Sequence, residues 1–572
     1  MTISGAGETS FFVLDAGVSL LMIALAAFWP SLGSRWFARA ERVMRRLAEH
    51  RGASVLSVGV AALLLRLLFL PLVPIPQPYI HDEFSYLLAA DTFASGRLTN
   101  PTHPMWRYLE SFHITQIPTY MSMYPPAQGM VLAAGQVLTG VPWIGVWLTA
   151  GLMCSAICWM LQGWLPPRWA LFGGALALLR LALFSYWGNS YYGGAVAAVG
   201  GALVLGALPR LMKSGRTRDG VLMAAGLAIL ANSRPYEGLL LAVPVAGALL
   251  LRGIRTRAKT SGMVLRRAAA PALLLLAVAG AMGYYNHRVY GNTFALPYQV
   301  NRAQYASAPV FLWQQPRPIP EYRYRAIRDF YTDQELGDFL RARTPEGFMR
   351  ATVQKSATAV LFFLGIALLP ALFVLPQLIR DLRIRFLLIA GMVYAVGLSL
   401  NAWLFPHYLA PFAGGIYAVT LQAMRHLRAW RPGARPVGLA MVRGMASATL
   451  LLAGLRVFSG PLGLAIPRWP TMWYGTEPMG LSRAKVASEL EKLPGRQLAI
   501  VEYGAEHLPF EDWVYNRADI EHAKVVWARE SETGCGSDLR NYFGDRKVWI
   551  IRPDANPVEV QAAPPARLRT GP

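Results

Sequence analysis

Three consecutive side chains, His81, Asp82 and Glu83, stand a few residues after the apolar run 55–73, where the chain is predicted to leave a membrane. Carboxylates at a membrane surface are suited to accepting a proton from a substrate hydroxyl or to coordinating a hard divalent cation. The residues that follow, 84–91, have helical apolar spacing, so Asp82 and Glu83 are expected to point in different directions and to have different roles. The alternative is that the two carboxylates only cap this helix and complement its dipole.

The same stretch of chain carries two histidines, His103 and His113, with Glu110 between them. Such a set is a candidate site for a divalent metal, Mg²⁺ or Mn²⁺, although its spacing matches no compact zinc motif. The alternative is that both histidines make ordinary hydrogen bonds. A divalent cation is therefore the one candidate cofactor that the sequence indicates.

The elements that must hold these side chains are membrane helices. Hydrophobic residues make up 54% of the 572 residues and charged residues only 15%, with a mean hydropathy of +0.33. Runs of roughly 17–25 apolar residues, the length that crosses a bilayer, recur through most of the chain before residue 466. We predict a mainly α fold: a polytopic membrane helical bundle of about 12 spans with a small extracytoplasmic C-terminal α/β domain.

The distribution of charge predicts which side of the membrane each connection faces. The net charge of +23 does not indicate nucleic acid, because the basic residues gather in alternate connections between the apolar runs. This positive-inside pattern places those connections in the cytoplasm and the stretches 76–141, 287–354 and everything after 466 outside. We expect a multi-pass protein of a bacterial inner membrane, with its active site and C-terminal domain facing the periplasm.

The chain divides into four predicted parts. Residues 1–53 form an extra N-terminal transmembrane helix with a basic cytoplasmic loop, and residues 54–466 form the main transmembrane domain with both large outside loops. Residues 467–560 form the outside α/β domain, because 481–493 has helical spacing, 497–503 is strand-like, and 524–528 and 547–551 are runs of β-branched and aromatic residues typical of strands. Residues 561–572 are rich in Pro, Ala and Arg and are predicted to form a flexible tail.

In this setting the chain resembles the GT-C superfamily of membrane glycosyltransferases, which includes protein O-mannosyltransferases and lipid A aminoarabinose transferases. His81–Tyr86 stands where that family has an acidic motif after a transmembrane helix, and Met123–Gly129 resembles its Tyr-Pro-Pro segment leading into a surface helix. Further likenesses are Tyr284–Tyr298 at the start of the second large loop and His407–Pro411 at the end of a late span, with His in place of the family's Arg. The resemblance covers residues 54–425 and rests on the order and predicted sidedness of these motifs.

The resemblance implies a polyprenyl-phosphate sugar donor and inversion at the anomeric carbon, with Asp82 as general base or metal ligand and Glu83 as second candidate. The phosphate leaving group needs a cation, for which Arg234 is the first candidate and Arg288 the second. Alternatively, Arg234 pairs with Glu237 or extends to the interface, and Arg288 is an anchor beside a span. Tyr124 suits stacking on a sugar ring or, equally, the membrane interface. The full set of substrate-binding candidates is Arg234, Tyr236, Tyr124, His407, Tyr408, Arg288 and Tyr298.

We therefore expect an inverting glycosyltransferase that moves a sugar from a polyprenyl-phosphate carrier to an extracytoplasmic hydroxyl of a glycolipid, polysaccharide or protein. Its expected partners are this donor, membrane lipid and an envelope acceptor, and not nucleic acid. One alternative is a carrier or flippase for an amphipathic anion, with Arg66 and Arg180 in its pathway. Another is a non-catalytic scaffold that binds lipid-linked glycan. The scarcity of acidic residues in the spans and the two large outside loops favour the enzyme.

Overall fold

The computed structural model describes residues 5–255, 261–464, 479–530 and 537–563, and helices dominate these residues. Of the predicted flexible tail, residues 564–572 lie outside the described part of the chain. The mainly α class is confirmed. The helices are α1 (Gly5–Phe28), α2 (Ser34–Glu49), α3 (Arg51–Leu68), α4 (His81–Ala94), α5 (Pro126–Thr139), α6 (Trp143–Leu161), α7 (Pro167–Ala177), α8 (Ala195–Ser214), α9 (Thr217–Ala231), α10 (Pro235–Arg255), α11 (Ser261–Tyr290), α12 (Pro297–Tyr305), α13 (Arg325–Asp329), α14 (Gly337–Ala342), α15 (Pro345–Phe363), α16 (Leu375–Arg380), α17 (Arg385–Ser399), α18 (Ala413–Arg428), α19 (Val437–Val457), α20 (Leu481–Lys492) and α21 (Ser537–Tyr542).

Two small sheets accompany the helices. Their strands are β1 (Asn100–Pro101), β2 (Ile114–Thr115), β3 (Thr119–Ser122), β4 (Arg496–Val501), β5 (Val525–Arg529), β6 (Arg546–Arg552) and β7 (Glu559–Ala562). The first sheet lies in the first outside loop, has the order β1-β3-β2, and is antiparallel. The second is the C-terminal sheet.

Six of the described helices are long and apolar enough to cross a membrane. They are α3, α6, α8, α10, the part Arg266–Tyr290 of α11, and α19. A seventh span results if α15 and the following Ile366–Arg380 are counted as one, although the two parts meet at 106°. The predicted count of about 12 is not confirmed, because other apolar segments form shorter helices, such as Phe12–Phe28 and α17.

Local sequence sets the ends of the two helices that border the candidate site. The side chain of Glu83, in the first turn of α4, accepts hydrogen bonds from the backbone N–H groups of Tyr79 at 2.8 Å and Ile80 at 3.1 Å. This reciprocal cap starts α4 at the acidic motif. Helix α5 has Pro126 at its first position and ends at Gly140, whose φ of 79° is left-handed and favours glycine.

A short break at 232–234 separates α9 from α10 and joins them to the first outside loop. The carbonyl of Asn232 accepts a hydrogen bond from the backbone N–H of Ala127, at the start of α5, at 2.9 Å. A break between two apolar helices leaves backbone groups without helical partners, and this contact satisfies one of them. The break therefore lies directly beside the loop that carries Asp82.

The C-terminal sheet has the order β5-β4-β6-β7, with β4 parallel to both β5 and β6 and with β7 antiparallel to β6. The predicted strand-like runs 497–503, 524–528 and 547–551 correspond to its first three strands, and β7 was not predicted. One face of this sheet shares a buried cluster with the first outside loop. The cluster includes Leu498, Ile500, Val526 and Ala528 from the sheet and Leu88, Leu109, Ile114 and Tyr120 from the loop region.

Candidate active site

Asp82 lies in the first turn of α4, where one tyrosine and two histidines surround its carboxylate. The hydroxyl of Tyr124 donates a hydrogen bond to Oδ1. His113 Nδ1 lies 3.3 Å from the same oxygen, and His81 Nδ1 lies 3.3 Å from Oδ2. The two histidine side chains are buried, whereas 24% of the Asp82 side chain is exposed. The carboxylate is therefore the accessible member of the group.

The charges around Asp82 favour its ionised form. Burial by itself would raise the pKa of the Asp82 carboxyl, but the imidazoles of His81 and His113 outweigh burial and hold this pKa well below its usual range. Burial and the proximity of His81 lower the pKa of His113. Near neutral pH the group therefore presents a carboxylate, which can accept a proton or bind a cation.

Glu83 has a different environment from its neighbour. It is 3% exposed, and its two oxygens accept backbone N–H groups: Oε2 those of Tyr79 and Ile80, and Oε1 that of Tyr191 at 3.1 Å. Burial raises the pKa of its carboxyl to about 7, although these backbone hydrogen bonds oppose the shift. Glu83 thus joins the start of α4 to the chain at Tyr191. Asp82 and Glu83 therefore make different contacts, as their helical spacing predicted.

His81, Asp82 and His113 offer a donor set for a metal ion. One ligand atom from each residue lies within 4.8 Å of the others. His81 is 2% exposed, yet neither of its ring nitrogens has a hydrogen-bond partner among the described residues. A buried imidazole nitrogen without a partner is costly, and a bound cation would satisfy one nitrogen of His81. Two imidazoles and one carboxylate fit Zn²⁺ or Mn²⁺ better than Mg²⁺, which prefers oxygen ligands.

The other predicted metal ligand, His103, lies outside this donor set. Its Nε2 is 2.9 Å from the Glu521 carboxylate, and its ring stacks on Phe543, both in the C-terminal domain. Glu110, between the two histidines in sequence, accepts hydrogen bonds from Tyr305 and Arg323, each at 3.1 Å. The structure therefore brings His113 to Asp82 and places His103 at the contact with the C-terminal domain.

Arg234 reaches the same cluster from the break between α9 and α10. Its guanidinium lies 4.7 Å from the centre of the Tyr408 ring, and it is 3.8 Å from a carboxylate oxygen of Glu237. The rings of Tyr86 and Tyr124 are stacked with their centres 4.3 Å apart, and the Tyr124 hydroxyl is hydrogen-bonded to Asp82. The predicted pairing of Arg234 with Glu237 is present as a contact, but the guanidinium also adjoins the tyrosines around Asp82.

The four remaining substrate-binding candidates have different environments. His407 is buried, and its Nδ1 lies 2.7 Å from the hydroxyl of Tyr186. Tyr236 donates to the carbonyl of Gly397 at 2.8 Å, so its hydroxyl is occupied by the backbone. Tyr298 is half-buried on α12. Arg288 is exposed and donates to Tyr284 at 2.8 Å, so the structure does not bring it to Asp82.

Sequence reasoning missed His81 as a possible ligand and Tyr86 as a wall of the site. Tyr86 follows Asp82 by four residues on α4, a helical spacing that would have placed it on the same face. Phe510 was also missed: it belongs to the C-terminal domain, its ring stacks 5.6 Å from that of His81, and no local signal could have indicated this.

The two arginines in apolar segments are bound to backbone carbonyls. Arg66 donates to the carbonyls of Val73 at 2.8 Å and Pro74 at 3.2 Å. Arg180 donates to those of Leu361 and Phe362, both at 2.9 Å. Such contacts satisfy a buried guanidinium and tie helix ends together.

No protein-family model matches the chain, and no curated protein sequence matches it. Among solved structures, ArnT from Cupriavidus metallidurans bound to undecaprenyl phosphate is similar over 87% of this chain and 92% of its own, with 15% identity and a TM-score of 0.46. The Archaeoglobus fulgidus oligosaccharyltransferase tethered with an acceptor peptide containing the NVT sequon is similar over 87% of this chain and 68% of its own, with 11% identity and a TM-score of 0.46. The same archaeal enzyme in complex with Zn and sulfate has 12% identity and a TM-score of 0.41.

All three similarities to solved structures are remote. Their identities and TM-scores are low, so the activity of this chain has to be argued from its own residues.

Proposed function

We propose that the protein is a membrane glycosyltransferase that moves a sugar from a polyprenyl-phosphate carrier to a hydroxyl acceptor outside the cytoplasm. The observation that carries the proposal is that Asp82 and Arg234 belong to one cluster of tyrosines where apolar helices break: Tyr124 is hydrogen-bonded to Asp82 and stacked on Tyr86, and Arg234 interacts electrostatically with both tyrosines. A proton acceptor and a permanent cation in one cluster match the two needs of such a transfer: activating a hydroxyl and steadying a departing phosphate.

In this proposal the acceptor oxygen attacks the anomeric carbon of the donor while its proton passes to Asp82. The bond between the anomeric carbon and the phosphate oxygen breaks, and its electron pair leaves with the lipid phosphate, which Arg234 stabilises. A single displacement of this kind inverts the anomeric carbon. Tyr124 orients the Asp82 carboxylate through its hydroxyl, and the stacked rings of Tyr86 and Tyr124 offer an apolar wall beside the sugar.

A metal fits the same site. His81, Asp82 and His113 would hold a divalent cation, and that cation would supply positive charge to the donor phosphate or to an acceptor oxygen. Glu83 serves in either case as a positioning residue, because it fixes the start of α4 through three backbone hydrogen bonds. We place the site and the C-terminal domain on the periplasmic side of a bacterial inner membrane, on the strength of the charge pattern.

The contacts of Arg66 and Arg180 favour the enzyme over a carrier. In a carrier these guanidinium groups would line a pathway for an anion, but each donates hydrogen bonds to two backbone carbonyls. This arrangement gives them a structural role.

The test is transfer of label by the purified protein in lipid, using a panel of radiolabelled polyprenyl-phosphate sugars and a crude envelope extract as acceptor. The wild type should move label from one donor into the extract, and Asp82→Asn should lower the rate about a hundredfold or more. Asp519→Asn, a change of an exposed aspartate in the C-terminal domain, is the matched control and should leave the rate unchanged. Saturable donor binding without any transfer would instead support a non-catalytic scaffold.

A further inference from the structure

A basic pocket lies at the end of α18 that is remote from the candidate active site. Helix α18 begins just after His407 and Tyr408 and has 16 residues, about 24 Å of helix. Its last turn carries Arg425, His426 and Arg428. These residues border a cavity of about 650 Å³ together with the connection between α16 and α17 and the start of α7.

Five arginines converge on this cavity, against a single carboxylate. They are Arg168, Arg380, Arg383, Arg425 and Arg428, and the carboxylate is that of Asp381. Burial and the neighbouring guanidinium groups of Arg383 and Arg168 lower the pKa of Arg425, so the positive charges are close enough to repel one another. Trp169, which is 7% exposed, adds an apolar wall.

Asp381 offsets only part of the positive charge of the five arginines, and its oxygens hydrogen-bond to other groups. Oδ2 is 2.9 Å from His426 Nε2 and accepts a hydrogen bond from Gln422, while Oδ1 accepts the backbone N–H of Arg383 at 2.9 Å. Across the described ranges, no ion pair joins any of the five guanidinium groups to a carboxylate. The aspartate thus fixes the turn between α16 and α17 against α18. Arg425 donates a hydrogen bond to Gln422 at 2.6 Å, and all five arginines line the cavity.

Membrane orientation accounts for arginines in cytoplasmic connections, but it does not require them to line one concave surface. Arginine is the side chain best suited to paired hydrogen bonds with phosphate oxygens. Basic pockets between membrane helices on the cytoplasmic side are known to accommodate phosphorylated head groups. The ligand that matches this pocket is therefore an anion with more than one negative charge.

We propose that the basic pocket binds a ligand bearing a diphosphate or two phosphate groups, supplied either by a soluble compound or by the head group of an anionic lipid. The inference is independent of the glycosyltransferase proposal, since it concerns residues at the other end of α18. Binding at this pocket would stabilise the folded protein, and the stabilisation would grow with the logarithm of the ligand concentration above the dissociation constant.

The test compares the double variant Arg425→Gln/Arg428→Gln with the double variant Arg45→Gln/Arg46→Gln, which removes equal charge from exposed positions on α2. In detergent and at constant ionic strength, inorganic pyrophosphate should raise the unfolding temperature of the wild type and of the α2 variant saturably. The pocket variant should bind pyrophosphate about tenfold more weakly or worse, because two charge-assisted contacts are removed.

A second arm distinguishes the source of the phosphate. The proteins are placed in phosphatidylcholine nanodiscs containing cardiolipin, and lipid retained on the released protein is counted by native mass spectrometry. Cardiolipin retained by the wild type and lost from the pocket variant would assign the site to a lipid head group, whereas a pyrophosphate response alone would assign it to a soluble ligand. The proposal is overturned if neither probe binds the wild type, or if both double variants respond alike.

Discussion

Asp82 touches three side chains that affect it in different ways: Tyr124 donates a hydrogen bond, and His81 and His113 place imidazole nitrogens 3.3 Å from its oxygens. The histidine contacts are those expected of a group that shares a cation. The buried Nε2 of His81, which has no hydrogen-bond partner among the described residues, agrees with this. If Asp82 acted as a general base without a metal, two buried histidines beside it would not be required. Measuring the metal content of the protein therefore distinguishes a role of Asp82 as metal ligand from a role as general base.

We expect His113→Ala to lower the amount of divalent metal that copurifies with the protein, because it removes one of three ligands. Inductively coupled plasma mass spectrometry on protein purified without chelator measures this directly. His103→Ala is the matched control, since His103 contacts Glu521 and not Asp82. Equal metal content in the wild type and both variants would remove the metal site from the account.

Glu83→Gln should destabilise the protein by about 1–3 kcal/mol, the range for leaving a buried polar group without its partner. The amide can accept through one oxygen only, so its NH₂ group would face at least one of the backbone N–H groups that Glu83 now satisfies. The thermal unfolding midpoint in nanodiscs reports the change. Glu489→Gln on exposed α20 should shift it little, and equal shifts for the two variants would contradict a positioning role for Glu83.

At the scale of elements, a buried ion pair inside the C-terminal domain makes hydrogen bonds to the first outside loop. Arg529, on β5, lies 2.7 Å from Asp512 with both side chains at most 2% exposed, and its Nε donates to the carbonyl of Glu110 at 2.7 Å. Asp512 also accepts a hydrogen bond from Ser111 at 2.9 Å. The same domain places Phe510 on His81. Loss of the ion pair should thus loosen the packing of the C-terminal domain, including Phe510, against the candidate site.

Arg529→Met should destabilise this attachment by about 3–5 kcal/mol, because it leaves the carboxylate of Asp512 buried without a counter-charge. Hydrogen–deuterium exchange should increase in β4 and β5 and in the first outside loop. Arg517→Met provides the comparison: its contact with Asp91 is 3.5 Å long and the arginine is 69% exposed, so little change is expected. Unaltered exchange in Arg529→Met would contradict the structural role of the pair.

Local pattern predicted several elements well. The expected helix at 127–138 corresponds to α5, and the expected helix 481–493 to α20, because proline and glycine signals and apolar spacing act over a few residues. The number of spans was harder to predict, since a run of apolar residues does not show whether the chain bends. Residues 345–380 form two helices at 106° around Gly365, whose φ is 62°.

The candidate site was predictable only where its parts are close in sequence. Asp82 and Tyr124 were indicated by motifs, and His113 was expected to pair with His103. The structure pairs it with His81 instead, 32 positions along the chain from it, because the fold of the first outside loop decides which histidines meet. Arg234 came from the polar break between two apolar runs, but its contact with Tyr408 depends on the packing of distant helices.

At the scale of the whole molecule, two charged regions lie at opposite ends of α18. One contains Asp82 and Arg234 beneath the C-terminal domain, and the other is the basic pocket. The positive-inside pattern leads us to expect that the basic pocket faces the cytoplasm and the first region faces outside. Transfer of a sugar from a lipid-linked donor requires the region around Asp82 and Arg234 both to bind the donor phosphate and to activate the acceptor hydroxyl.

The most direct test measures donor binding and single-turnover transfer separately in Asp82→Asn and Arg234→Gln. If Asp82 is the base and Arg234 holds the phosphate, Asp82→Asn should bind donor with nearly wild-type affinity and transfer about a hundredfold more slowly or worse. Arg234→Gln should weaken donor binding about tenfold or more, since a charge-assisted contact to phosphate is lost. Wild-type transfer by Asp82→Asn together with unchanged donor affinity in Arg234→Gln would contradict the assignment of this site.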